Sequence, residues 1–388
     1  MNMVNSIGFK NLLTPILIIM IMELVMGGGG RFFTVGTLTF RIFLYIFCIP
    51  ISFFYIYKKG NVDLYIIYIL GAFTFTIILS IIIGIINEAS TLLIYEDVKP
   101  LMFFFNILFF SITIETHEDI MRTIKIIKYS SVFMAVFYLS FVILLFFKYV
   151  DFIEFYEFVE PFGEITFRGE EGFFLFKGFL YLCIGFFFFI NGKTNSSNLS
   201  ALVLLIAIVL TLTRGFIIFT ILVYLFYLTF FYRKKIVSII IVFFSIAITI
   251  YALPTYLEAI GDKEESNLVR TTQINQVFER TNFSNFLFGN GFGKGVPISP
   301  QHMEISYLEI FCKQGIIGLL FWALLILYIT ILFVILYREK KNTEIVLPCF
   351  LSVIFIVFQS ATNPFINNPI GLTMILITIV IYNRLLVI

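Results

Sequence analysis

Residues 304–337 read EISYLEIFCKQGIIGLLFWALLILYITILFVILY, and this stretch decides the fold class. From Gly315 to its end it contains no charged side chain. A helix crosses a bilayer with about 20 mostly apolar residues, so the stretch predicts a transmembrane helix. The whole run is too long for one simple span. Because Gly315 and Gly318 interrupt it, we expect residues 304–314 to form a separate initial helix at the membrane surface.

The composition of the whole chain points the same way. Of its 388 residues, 60% are hydrophobic and 13% are charged, whereas a soluble domain is roughly 45–50% apolar even with glycine counted. An ordinary soluble protein is therefore excluded. The formal net charge is +2 and the basic residues are scattered, so we predict no nucleic-acid partner. The four cysteines lie in or beside apolar stretches, which indicates small buried residues rather than disulfides.

Further apolar runs predict an all-α, polytopic integral membrane protein with about 12 transmembrane helices. The predicted spans cover residues 11–28, 37–57, 62–86, 96–114, 129–149, 172–190, 199–213, 215–232, 236–253, 304–337, 343–361 and 367–385. We find no internal repeat and no low-complexity linker, so residues 1–388 are predicted to form a single membrane domain. Its largest loop covers residues 254–303, between spans nine and ten.

The basic residues predict the orientation, because Lys and Arg favour cytoplasmic loops. With the N-terminus inside, strict alternation places every basic cluster on the cytoplasmic side. Both termini are then cytoplasmic, and the acidic loop 150–171 and the long loop 254–303 lie outside. We therefore expect a multi-pass protein of the bacterial inner membrane whose site faces the periplasm.

Three arginines are predicted at this outer side. Arg214 lies in Thr211-Leu212-Thr213-Arg214-Gly215 between two apolar runs, where it either snorkels to the interface or faces a polar cavity. Residues 268–280 have helical periodicity, with one arc apolar and the other carrying Arg270 and Arg280. Guanidinium groups bind phosphate oxygens in pairs, so the three arginines form a candidate anion clamp. The alternative is that the loop arginines only contact lipid headgroups.

Two further segments of the outer side carry candidate residues. In the run 286–295, glycines alternate with other residues, among them Gly291, Gly293 and Lys294. Such a run permits either close approach of backbone to a ligand or simply a flexible loop, and it is neither a P-loop nor G-x-G-x-x-G. Downstream, His302 and Glu304 are candidates to accept a proton from a sugar hydroxyl.

We expect no metal and no cofactor. The chain has only 2 histidines, which excludes a histidine-rich metal site. It has no Asp-x-Asp, the carboxylate pair that often holds a metal ion beside a sugar diphosphate. Arginines would then neutralise a diphosphate leaving group. Glu23 and Lys177, both within predicted spans, are interpreted as paired structural charges or interface residues.

The order of these motifs resembles the bacterial family of O-antigen polymerases and ligases, the Wzy-type glycan polymerases. Thr213-Arg214-Gly215 is similar to the family's Ser/Thr-Arg-Gly, and Arg280 with Gly291 is similar to its Arg-x10-Gly. Tyr307-Leu308-Glu309 followed by Gly315-Ile316-Ile317-Gly318 resembles its His-Asn-x-Tyr-Leu-Glu and Gly-x-x-Gly segments. Eleven residues before Gly315, where the ligases have histidine, this chain has Glu304, and His302 lies two positions earlier.

The resemblance implies a fold of the C-type glycosyltransferase superfamily and metal-independent, inverting transfer between undecaprenyl-diphosphate-linked oligosaccharides. It assigns catalysis to Glu304, His302, Arg280 and Arg214, and we place the substrate-binding candidates at Arg270, Gly291, Gly293, Lys294, Tyr307, Glu309 and Lys313. Because of Glu304 we favour a polymerase over a ligase that moves the finished glycan onto a lipid core or a protein. A transporter or flippase for the same lipids is the alternative from another class. Membrane lipid, a chain-length regulator and a flippase are the expected partners.

Overall fold

The structure is a computed structural model that describes residues 3–31, 34–35, 38–59, 62–168, 173–192, 194–232 and 264–388. Side chains are described for most of these residues, from position 13 onward. The predicted span 236–253 and the first part of the predicted loop, 254–263, lie outside the described residues.

Helices make up most of the described chain, because a backbone in lipid can satisfy its hydrogen bonds only within helices or closed barrels. In chain order they are α1 (Met3–Met26), α2 (Phe40–Lys59), α3 (Leu64–Ile86), α4 (Thr91–Leu101), α5 (Asn106–Thr113), α6 (His117–Phe146), α7 (Phe152–Val159), α8 (Leu180–Phe189), α9 (Asn195–Leu210), α10 (Arg214–Phe230), α11 (Glu264–Glu279), α12 (Phe283–Phe288), α13 (Ser306–Arg338), α14 (Thr343–Gln359) and α15 (Pro369–Val387).

Two short antiparallel hairpins complete the described secondary structure. The first pairs β1 (Thr34–Val35) with β2 (Leu38–Thr39). The second pairs β3 (Ile165–Arg168) with β4 (Phe173–Phe176), with Ile165 opposite Phe176. Strands β1 and β3 lie in loops that follow odd-numbered predicted spans, which the sequence places on one side of the membrane. Strands β2 and β4 lie at the start of the next predicted spans, 37–57 and 172–190.

The chain is a helical, polytopic membrane protein. Among the described residues, five helices are long and apolar enough to cross a membrane by length and composition, namely α2, α3, α6, α13 and α15, and shorter apolar helices accompany them. Twelve spans and the predicted orientation stay predictions. Hydrogen bonds do join segments predicted on the same side: Gly29 N donates to Glu164 Oε2, and Asn87 Nδ2 donates to Asn290 O.

Two predicted spans are wrong in their boundaries. The span 172–190 begins as strand β4 and continues as a 3₁₀ turn, Lys177–Phe179, so that helix α8 is only 10 residues long. The span 96–114 is divided by another 3₁₀ segment, Met102–Phe105, between α4 and α5. A run of phenylalanines shows no alternation of polar and apolar residues. Its sequence pattern therefore does not distinguish a buried strand from a buried helix.

Helix α13 bends at Gly315, one of the two glycines that predicted an interruption. Gly315 has φ 64° and ψ −161°, which lie outside the helical region. A bend of this kind deprives the preceding carbonyl groups of their helical partners. Backbone N–H groups of the glycine-rich run replace them: Asn290 donates to Cys312 O at 2.8 Å and Gly291 donates to Lys313 O at 3.0 Å. The bend therefore attaches the long loop to the first turns of α13.

The described part of the long loop is folded rather than extended. Helix α11 confirms a helix over residues 268–279 of the predicted segment 268–280, but not its division into one polar and one apolar face. Gln273 is buried and donates to Ser299 Oγ at 2.7 Å, and the apolar Val277 and Ile274 also pack inward. Leu268 and Phe278, on the predicted apolar arc, are exposed. The loop thus packs against the start of α13 through both polar and apolar residues.

Candidate active site

A buried network of charged side chains lies at the start of α13. Lys313 Nζ is 2.8 Å from Asp97 Oδ1 and 2.6 Å from Glu309 Oε1. All three side chains are almost inaccessible to solvent, with exposed fractions of 3%, 4% and 7%. Buried charges are tolerated only when they are paired and hydrogen-bonded. The ammonium group is therefore the cation that neutralises two carboxylates from distant parts of the chain.

Local sequence explains how these groups meet. Glu309 and Lys313 are four residues apart on one helix, so their side chains lie on the same face. Asp97 comes from α4, and its second oxygen accepts Gly293 N at 2.7 Å. Beneath it, stacked rings of Phe73 and Phe104 have centroids 4.1 Å apart and join α3 to the segment after α4.

His302 extends the network toward solvent. Its Nδ1 lies 3.2 Å from Glu309 Oε1, while about half of the side chain, 52%, is exposed. A carboxylate can only accept a hydrogen bond, so this contact places the proton of a neutral imidazole on Nδ1. Among the residues that the structure describes, Nε2 has no hydrogen-bond partner. The arrangement leaves the lone pair of Nε2 available to accept a proton.

These groups line a cavity of about 400 Å³, which we call the charged cavity. Its basic lining residues are Arg31, Arg41, Lys99, Lys177, His302 and Lys313. Its acidic lining residues are Glu96, Asp97 and Glu309. A cavity that places a hydrogen-bonded histidine beside several cations can bind an anionic substrate and accept a proton from it.

One of the lining charges, that of Arg41, has a structural role. Arg41 Nε is 2.9 Å from Glu23 Oε2, and its Nη2 is 3.0 Å from Glu23 Oε1. The same Nη2 also donates to Gly28 O. This two-pronged contact joins the end of α1 to the start of α2, and it confirms that Glu23 is a paired charge.

The glycine-rich run forms the wall behind the charged cavity. Gly291 has φ +83°, and a Cβ there would lie 2.1 Å from Gly84 N. Gly289 has φ +76°, and a Cβ there would lie 2.4 Å from the backbone of Lys313. Neither Gly291 nor Gly293 is among the residues that line a described cavity. The backbone therefore approaches other backbone, of α3 and α13, where the sequence suggested a ligand.

A second cavity of about 330 Å³ lies on the other side of this wall. Arg280, Lys294 and four asparagines line it, so we call it the amide cavity; the asparagines are Asn87, Asn282, Asn285 and Asn290. Asn285 Nδ2 donates to Asn290 Oδ1 at 2.7 Å. Amide groups both donate and accept hydrogen bonds, which suits sugar hydroxyls.

The other predicted residues are not brought together. Arg270 Nε is 2.6 Å from Glu304 Oε2, so these two candidates neutralise each other away from the charged cavity. Tyr307 donates its hydroxyl to Val357 O at 2.6 Å, a contact between α13 and α14. Arg214 begins α10 and lines neither cavity. The three predicted clamp arginines therefore occupy three different environments.

Asp97 is the site residue that the sequence reasoning missed. One signal was present, because Asp97 lies just inside the predicted span 96–114, and an ionisable residue within a span is a candidate functional residue. One oxygen each of Asp97 and Glu309 and a ring nitrogen of His302 lie within 4.8 Å of one another, a spacing that suits a metal ion. The Lys313 ammonium contacts two of these three residues, which makes it the cation of this group.

Comparison with known proteins gives two matches. The sequence profile of a family described as O-antigen ligase matches residues 199–323. An O-antigen polymerase of Shigella flexneri is 27% identical over 366 residues, which cover 91% of this chain and 90% of that protein. The predicted resemblance to the O-antigen polymerases and ligases is confirmed.

The part matched by the O-antigen ligase profile includes three of the four members of the buried charged network. Residues 199–323 contain His302, Glu309 and Lys313, and also Arg280 of the amide cavity. Asp97, Arg31 and the hairpin β3–β4 lie outside this range. The O-antigen polymerase from Shigella aligns over a much longer part of the chain, so its match is not limited to the motif region.

Proposed function

We propose that the protein polymerises undecaprenyl-diphosphate-linked oligosaccharide repeat units into O-antigen or a related polysaccharide. The observation that carries this proposal is the charged cavity, in which His302 and Glu309 lie beside several cationic side chains. The match to an O-antigen polymerase over 91% of the chain supports polymerisation rather than ligation. We place this cavity at the outer face of the inner membrane, as the distribution of basic residues predicts.

In this proposal, His302 is the general base and Glu309 is its positioning residue. A sugar hydroxyl of one lipid-linked unit attacks the anomeric carbon of the other, and His302 Nε2 accepts the hydroxyl proton. The bond between that carbon and the diphosphate breaks, and the diphosphate leaves with the electron pair. A single displacement of this kind inverts the anomeric carbon. Glu304 is less suited to the role, because Arg270 already binds its carboxylate at 2.6 Å.

The proposal needs no metal ion. The network around Asp97 holds an ammonium group between the carboxylates, and positively charged side chains in the cavity can stabilise charge on the departing diphosphate. Arg280, which the resemblance assigns to the same task, lines the amide cavity together with Lys294. We therefore assign Arg280 to binding of substrate outside the charged cavity.

Ligation remains the second candidate, because the matching profile is described as O-antigen ligase. The two reactions share a donor and differ in the acceptor. A polymerase transfers the glycan to another lipid-linked repeat unit, whereas a ligase transfers it to a lipid core or a different acceptor.

The test uses purified protein in detergent with synthetic undecaprenyl-diphosphate repeat units, a metal chelator and no nucleotide. We expect a ladder of products on a gel. A second assay adds a lipid-core acceptor. Glycan attached to this acceptor, with no ladder in either assay, would indicate a ligase. Unchanged substrate in both assays, from protein shown to be folded, would contradict the proposed glycosyl transfer and favour transport, which sealed vesicles can measure.

A further inference from the structure

The charge distribution within the charged cavity is uneven. Around Lys313, two carboxylates face one ammonium group, which leaves one excess negative charge beside His302. On another wall, Arg31 and Lys177 face the single carboxylate of Glu164, which leaves one excess positive charge. An anion that enters the cavity is therefore attracted to the second wall and repelled from the first.

The second wall is built to hold its two cations at the cavity surface. The Glu164 side chain is fully buried, with an exposed fraction of 0%, and Gly29 N donates to its Oε2 at 2.6 Å. Arg31 Nε lies 4.0 Å from Oε1 and Lys177 Nζ lies 4.0 Å from Oε2. These distances exceed hydrogen-bonding range, so Glu164 does not saturate the donors of either cation.

Both cations are accessible to a ligand. The Arg31 side chain is 61% exposed and that of Lys177 is 44% exposed, and both line the cavity. Glu164 Oε1 has no hydrogen-bond partner among the described residues, although it is buried. Nearby positive charge compensates the energetic cost of burying such a carboxylate, and the carboxylate in turn attracts the two cations.

We propose that Arg31 and Lys177 form the site that binds the diphosphate of the lipid-linked donor. The guanidinium offers paired donors to phosphate oxygens and the ammonium adds a second positive charge, while the buried Glu164 carboxylate lies 4.0 Å from each. This assignment rests on the proposed function. It places the leaving group on the positive wall and the hydroxyl to be deprotonated on the wall of His302. The role that the resemblance gives to Arg214 and Arg280 passes to residues of the N-terminal half.

Direct binding tests the site without catalysis. The probe is undecaprenyl diphosphate, and undecaprenol is the uncharged probe with the same tail. The variants are Arg31→Gln, Lys177→Gln and their combination. Arg31→Lys and Lys177→Arg keep the charge, and Lys340→Gln removes an exposed charge after α13 as the matched control. A triple variant with Glu164→Gln avoids leaving a buried carboxylate unpaired, and thermal unfolding verifies that each variant is folded.

We expect each neutral variant to bind the diphosphate about tenfold more weakly and the combination weaker still. Undecaprenol binding should stay unchanged, the charge-keeping variants should recover most of the affinity, and Lys340→Gln should equal the wild type. Wild-type affinity in the combined or triple variant would overturn the site. So would displacement of the probe by phosphatidylglycerol at equal concentration, because the cations would then bind any lipid headgroup.

A third result concerns the proposed function itself. If the wild-type protein binds undecaprenyl diphosphate no more tightly than undecaprenol, the protein does not recognise a lipid diphosphate. That result would overturn both the site and the proposed function, whereas tight binding by the wild type that survives in the combined Arg31→Gln, Lys177→Gln variant would overturn only the site.

Discussion

The charged cavity and the amide cavity are lined by consecutive residues of α13, yet they are built from different chemistry. Lys313 faces the charged cavity and forms ion pairs of 2.6 and 2.8 Å. Cys312, its neighbour, faces the amide cavity, whose lining holds four asparagines and two cations. Asparagine does not titrate at any relevant pH, so proton transfer belongs to the charged cavity. The amide cavity is suited to recognising sugar hydroxyls or an acidic group.

The difference also concerns rigidity. In the charged cavity, Glu309 is held by three groups: His302, Lys313 and, at 3.4 Å, Asn367. Such a network costs much to disturb, because each member compensates a buried charge of another. The amide cavity contains neutral groups that can exchange partners with a ligand. We therefore expect substitutions in the first to abolish function and substitutions in the second to weaken binding.

The largest expected effect is that of Lys313→Met, which keeps the volume and removes the charge. Two carboxylates would remain buried without a cation, and breaking a buried ion pair destabilises by about 3–5 kcal/mol. The midpoint of thermal unfolding in detergent should fall and polymerisation should be lost. Lys340→Met, at an exposed position after α13, is the control. An unchanged midpoint for Lys313→Met would show that the network does not maintain the cavity.

This network also shows the limit of what the sequence predicts. The apolar run 304–337 predicted α13 almost to its ends, and the periodicity of 268–280 predicted α11. Both signals are local, since they depend on neighbouring residues along one helix. The contact between Lys313 and Asp97 joins residues 216 positions apart, and no local pattern encodes it. The same is true of Glu164, which the sequence placed only in an acidic loop.

The glycine-rich run shows a second limit. Alternating glycines indicated close approach of backbone to some partner, and the sequence did not identify the partner. The structure assigns it to the backbones of α3 and α13, because Gly291 and Gly84 leave no room for a side chain between them. Identifying such a contact requires the fold. In the described structure both glycines lie against the backbone or side chains of other helices, and the substrate-binding role of Gly291 and Gly293 stays a prediction.

A smaller effect is expected for Gly291→Ala, which tests that wall. The added Cβ would meet Gly84 N at 2.1 Å, and the φ of +83° is unfavourable for alanine, so we expect a loss of about 1–3 kcal/mol. Gly71→Ala is the matched control, because a Cβ there meets nothing within 4 Å. Unfolding midpoints of the two variants should differ clearly. Equal midpoints would contradict the packing role of the run.

The smallest expected effect is that of Arg280→Gln in the amide cavity. Removing one cation from a recognition site should raise KM by about tenfold and leave kcat nearly unchanged. Glu279→Gln, at the exposed neighbouring position, is the control. Steady-state rates over a range of repeat-unit concentrations separate the two parameters. A fall in kcat with unchanged KM would return Arg280 to the reacting centre.

The central claim is that His302, rather than Glu304, accepts the proton in the charged cavity. Initial rates of ladder formation should be measured for His302→Ala and Glu304→Gln in detergent with a metal chelator, after equal folding is verified. Removing a general base slows a reaction by about 10²- to 10⁴-fold, so we predict a loss of that size for His302→Ala and near wild-type rates for Glu304→Gln. The opposite ranking would contradict the account and assign the chemistry to the Glu304–Arg270 pair.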